Sequence, residues 1–169
     1  VQQELQKGVP VEAKGNSGWT PLHYASNSGK LTVVQYLVEP AGANVEAKTT
    51  SGSTPLHRAS YLGRLTVVQY LVGPAGANVE AKTNDGWTPL HYASCEGHLT
   101  VVQYLVEPAR ANVEAKTTLG NTPLHYASWN GHLTVVKYLA GQVGATVEAK
   151  DNDGDTPLHW RRRGPMWRP

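Results

Sequence analysis

Thr20-Pro21-Leu22-His23 recurs as Thr54-Pro55-Leu56-His57, Thr88-Pro89-Leu90-His91, Thr122-Pro123-Leu124-His125 and Thr156-Pro157-Leu158-His159, each copy starting 34 residues after the last. A fixed step of this size denotes a repeat architecture, in which each unit buries its apolar face only against its neighbours. Threonine is a favoured helix N-cap, and proline at the first helical position supplies a helical φ where its missing N–H costs nothing. The proline also biases the threonine toward extended backbone, so each tetrapeptide marks the start of a helix.

Working outward from the first copy, a helix of about two turns runs from Pro21 to Ser28 and is closed by Gly29. A second follows in Leu31-Thr-Val-Val-Gln-Tyr-Leu-Val38, where Leu31, Val34, Leu37 and Val38 form one stripe and Pro40 stops the helix. Isolated helices shorter than roughly 12 to 15 residues are marginal in water, so these must be ordered by stacking on adjacent repeats.

The phrase Val-Glu-Ala-Lys at 11–14, 45–48, 79–82, 113–116 and 147–150 closes each unit. The reading is one continuous array over 1–169, with a partial unit at 1–14, full units at 15–48, 49–82, 83–116 and 117–150, and a truncated unit and tail at 151–169. Turns at Ser17-Gly18, Ser51-Gly52, Asp85-Gly86 and Leu119-Gly120, each preceded by an extended stretch, predict a finger-like hairpin before each first helix.

At the ends, Val1 and Leu5 fit the last turn of a helix ended by Gly8. After His159, Trp160 and Arg161 to Arg163 interrupt the pattern, and Pro165 and Pro169 forbid a second helix. Apolar edges left open in this way predict fraying or end-to-end self-association.

A net charge of +2 with 17% charged residues excludes a global field drawing the chain to nucleic acid or anionic lipid. Cys95 is the single cysteine, so no intrachain disulfide forms, and no Asn-X-Ser/Thr sequon occurs. Both point to an intracellular, cytoplasmic setting. Residues 1–10 lack the apolar core of a signal peptide, and no apolar run approaches the roughly 18 residues that span a bilayer.

The pattern Thr-Pro-Leu-His-X-Ala, complete at Ala25, Ala59, Ala93 and Ala127, together with Gly29, Gly63, Gly97 and Gly131 after the first helices, resembles the ankyrin repeat proteins over nearly the whole chain. The resemblance implies a mainly α solenoid of stacked β-hairpin and helix-turn-helix units, with about four full 34-residue repeats and partial terminal ones. Two departures stand out. The family's usual step is about 33 residues, so one extra residue here predicts a bulged corner in Glu39-Pro40-Ala41-Gly42-Ala43. Arg110 occupies the slot of Gly42, Gly76 and Gly144, where a positive φ is expected.

Candidate chemistry is sparse. His23, His57, His91, His125 and His159 tempt as a metal row, but stacked helices lie about 8 to 10 Å apart while zinc ligands sit near 2 Å from the metal. Their expected work is structural, satisfying backbone groups between finger and helix, as in ankyrin repeats. His98 and His132, which vary to Lys30 and Arg64, read as surface residues. Cys95 beside Glu96 should have a raised thiol pKa, against a nucleophile. The Glu-Ala-Lys ladder reads as a solvated face. No catalytic site, small-molecule substrate, cofactor or metal is indicated.

What remains is variation between copies. The residue before each Thr-Pro reads Trp19, Ser53, Trp87, Asn121 and Asp155, and the first helices end in Asn27-Ser28, Tyr61-Leu62, Cys95-Glu96 and Trp129-Asn130. In ankyrin repeats these slots line the concave groove where partners dock, so the resemblance implies a non-enzymatic protein-binding scaffold with these thirteen residues at its surface. The alternatives are a nucleic-acid-associated adaptor using Arg161 to Arg163, for which Trp160 offers a stacking plane, and a structural spacer within a longer repeat protein.

Overall fold

The five Thr-Pro sites sit at one repeating corner of the chain in a computed structural model that describes residues 10–159. Four helix pairs follow one another: α1 (Pro21–Asn27) and α2 (Leu31–Val38), α3 (Pro55–Tyr61) and α4 (Leu65–Val72), α5 (Pro89–Cys95) and α6 (Leu99–Val106), then α7 (Pro123–Trp129) and α8 (Leu133–Val136), which runs on as a π-helix over Lys137–Gln142. Each first helix opens with an extended threonine at the N-cap and proline at the start, as the tetrapeptide requires.

Helix order comes from the stack. Leu22, Leu56, Leu90 and Leu124 from the first helices, and Leu37, Leu71, Leu105 and Leu139 from the second, are all buried in one continuous core. Ala59, Ala93 and Ala127 are buried too, and their small side chains let first helices approach closely. The first helices lie nearer to one another than the second helices do. The stack therefore curves with first helices on its inner side.

The expected fingers are present, but as successive tight turns rather than strands, and no strand forms among the described residues. Each is closed by two backbone bonds, such as Thr49 N–H to the Ser53 carbonyl at 3.0 Å and Gly52 N–H to the Thr49 carbonyl at 2.9 Å, and joined to the next by another, such as Thr50 N–H to the Ser17 carbonyl at 3.1 Å. One cross-finger bond per step is too little to build a ladder.

The extra residue is absorbed at the end of the second helix, where Ala41, Ala75 and Ala109 N–H groups reach back five residues to Tyr36, Tyr70 and Tyr104. The bulge is thus a single π-type turn. Pro40, Pro74 and Pro108 end the helix there because they carry no N–H. In the last pair Gln142 takes the proline's place, and the wide winding extends from Lys137 to Gln142. Arg110 has φ 58°, matching Gly42, Gly76 and Gly144 at 71°, 69° and 79°.

The Glu-Ala-Lys ladder proves to be more than a solvated face. Glu12, Glu46, Glu80 and Glu114 each accept the backbone N–H of Asn44, Asn78, Asn112 and Thr146 in the following unit at 2.7 Å. Lys48, Lys82 and Lys116 donate to the carbonyls of Lys82, Lys116 and Lys150. The repeated charges clamp consecutive corners together. The features expected at Val1 to Gly8 and Trp160 to Pro169 lie outside the described residues.

Candidate protein-binding groove

The groove is framed by the histidine of each tetrapeptide. The backbone N–H and hydroxyl of Thr54 both point at His57 Nδ1, at 3.0 and 2.8 Å, and His57 Nε2 lies 3.0 Å from the Trp87 carbonyl of the next finger. A backbone N–H can only donate and a carbonyl can only accept, so the ring is neutral with its proton on Nε2. His23, His91 and His125 repeat the arrangement onto the carbonyls of Ser53, Asn121 and Asp155. Both ring nitrogens are thereby engaged, and the structural reading of these histidines holds. Burial pulls all four below the ordinary histidine value, with His57 and His91 at about 4.

His98 and His132, expected at the surface, are half-buried. Their Nε2 atoms reach back to the carbonyls of Tyr61 and Cys95, at 2.9 and 2.8 Å, and Arg64 does the same to Asn27. Each satisfies a carbonyl at the C-terminal end of the preceding first helix, where a donor or positive charge is favoured. Arginine and histidine in that slot are variants of one clamp.

The thirteen residues predicted at the groove divide by depth. Ser53, Cys95 and Asn121 are buried, which corrects their expected place at an accessible surface. Cys95 Sγ faces Asn130 Nδ2 at 3.2 Å, and burial with the charge of Glu96 pushes the thiol up to about 12, as expected of an inert thiol. Asn130 also holds the Cys95 carbonyl, at 2.9 Å. Ser28, Glu96 and Asn130 are exposed, while Trp19, Asn27, Tyr61, Leu62, Trp87, Trp129 and Asp155 are half-buried.

Three of the half-buried members, Trp19, Tyr61 and Trp87, belong to a row of rings. Trp19 lies 4.9 Å from Tyr24, and the Arg58 guanidinium sits 4.9 Å from the rings of both Trp19 and Tyr61. The row continues from Tyr61 to Tyr92 at 5.9 Å, to Trp87 at 4.8 Å and to Tyr126 at 4.1 Å. Trp19 and Trp87 come from fingers and the others from first helices, so the row crosses four repeats along the concave side. The aromatics therefore pack sideways on one another, Tyr126 fully covered and Tyr24 left exposed.

Three residues here escaped sequence reading. Tyr24 is 57% exposed and Leu119, at a finger tip, is 63% exposed. Arg58 fills the X of Thr-Pro-Leu-His-X-Ala, a slot held by Tyr24, Tyr92 and Tyr126 in the other full units and by Trp160 after the last tetrapeptide. The signal was in the sequence, because a single cation in an otherwise aromatic slot is a departure from the repeat.

A family model described as ankyrin repeats (3 copies) matches residues 1–83 and again 75–151. The chain belongs to the ankyrin repeat family. No curated protein matches it. Ankyrin repeats are in general protein–protein interaction modules and typically not catalytic. No helix among the described residues is long and apolar enough to cross a membrane.

Proposed function

We propose that this ankyrin array is a non-catalytic scaffold that holds a protein partner in the groove between its fingers and first helices. The observation that carries this reading is the row from Tyr24 to Tyr126. Tyrosine, tryptophan and arginine are the residues that most often dominate binding energy, and here they line up on one face. The variable slots supply the identity of the surface, while the repeated Thr, Leu, His and Ala hold it in register.

The contact set on this reading is Trp19, Tyr24, Asn27, Arg58, Tyr61, Leu62, Glu96, Leu119, Trp129 and Asn130. The test is a pull-down with the intact array, with Trp19→Ala/Tyr61→Ala, and with Gln35→Ala/Gln69→Ala on the exposed side of the second helices. Loss of the captured protein with the first pair and retention with the second is expected. Equal capture by all three would remove the groove from the account.

A further inference from the structure

The two halves of the concave side carry opposite charge. From 15 to 38 and from 49 to 79 the chain contains no Asp or Glu, while Lys30, Arg58 and Arg64 lie in those stretches. From 83 to 106 and from 117 to 136 it contains no Lys or Arg, while Asp85 and Glu96 lie there, and Asp153 and Asp155 follow on the last finger. The Glu-Ala-Lys ladder between these stretches carries both signs at each step and does not cancel the difference.

Arg58 is the innermost of the three cations. Its guanidinium stands between Trp19 and Tyr61, and its Nε and Nη2 converge on one oxygen, Asn27 Oδ1, at 3.4 and 3.1 Å. A guanidinium has five N–H groups. The remaining ones have no acceptor, and no carboxylate lies within ion-pair distance, among the described residues. Partial burial also lowers Arg58 from its ordinary value, the sign of a cation deprived of water without a counter-charge.

The fold does not ask for this residue. Every other copy puts an aromatic ring in the slot, and Tyr92 and Tyr126 fit it by stacking on Trp87. An arginine clamped by two rings and one amide is held in one orientation with its outer fork free, which is how arginine recognises a carboxylate with two parallel hydrogen bonds. We propose that Arg58 is the anion-reading centre of the groove, and that the partner lays an acidic segment carrying Asp or Glu across the first two repeats. Asp85 and Glu96 repel such a segment further along, so it enters in one register. This rests on the groove reading above and names the chemistry of its occupant.

The test selects short random peptides on the immobilised intact chain and sorts them by loss of binding to Trp19→Ala, which defines the groove-dependent set. Those peptides should be enriched in Asp and Glu, and should bind Arg58→Tyr and Arg58→Gln at least about tenfold more weakly. They should also weaken when NaCl rises from about 50 to about 500 mM. Arg58→Tyr restores the residue of the other repeats, so its unfolding midpoint should stay at or above that of the parent, and Arg58→Gln guards against a local misfit. Groove-dependent peptides without acidic enrichment, or indifferent to both variants, would overturn the assignment of Arg58 and leave the groove standing. An absence of groove-dependent peptides would overturn both. Tighter retention of a single-stranded oligothymidylate than of any peptide, lost in Arg58→Tyr, would make the natural anion a phosphate and overturn the acidic protein segment.

Discussion

The first two repeats and the next two present the same slots to the groove and fill them to different depths. Around Trp87 the row is closed, with Tyr92 on one side and Tyr126 on the other, and Tyr126 is only 3% exposed. Around Trp19 it is open, because its partners are a tyrosine that is 57% exposed and a guanidinium. The same backbone thus carries a self-packed aromatic stack in one half and an unsaturated one in the other. The lesson is that the repeated residues set the frame, while the variable ones decide whether a groove position belongs to the fold or to a partner.

If that division is right, changes in the frame should cost the same in either half. His57→Ala and His91→Ala each strand a threonine N–H and a finger carbonyl, both buried, and should each lower stability by about 3 to 5 kcal/mol in urea unfolding. A clear inequality between them would break the comparison. Acid acts on the same two residues. Unfolded histidine titrates near 6.5 while folded His57 and His91 hold a proton only below about 4. Their full contribution is therefore present above pH 6.5, falls as the unfolded chain binds protons, and is gone near pH 4. By pH 5 the loss should be about 2 kcal/mol for each, measured as a drop in the urea midpoint between pH 7 and pH 5.

A smaller effect is expected at Arg110, where a side chain occupies the left-handed slot that glycine fills in the other full units. Arg110→Gly should raise stability by about 1 kcal/mol, read from the same unfolding curves. No change would mean that the arginine gains something at that corner that offsets its strain.

Much of the frame was legible because its causes are local or strictly periodic. Thr-Pro announces a cap within two residues, and Leu31 to Val38 carries its stripe and its stop within ten. The positive φ at Arg110 followed from the glycines at the same slot. The clamps between repeats were not legible. His98 finds its acceptor 37 residues away and Glu46 its donor 32 residues away, and each looked like an exposed polar residue without its partner in view. The groove was legible as a set of slots but not in depth. Whether a tyrosine in one slot is covered depends on a residue of the preceding repeat, Trp87 lying against Tyr126 and Tyr61 against Tyr92. Arg58 does not stand out in the motif, whose X leaves that slot free.

The division between the two halves is tested most directly by urea unfolding of Trp19→Ala and Trp87→Ala side by side at neutral pH. Removing Trp87 takes away both faces of the closed stack and should cost about 2 to 3 kcal/mol, while removing Trp19 from the open one should cost about 1 kcal/mol. Equal losses, or a larger loss at Trp19, would contradict the claim that one half of the groove belongs to the fold and the other is left for a partner.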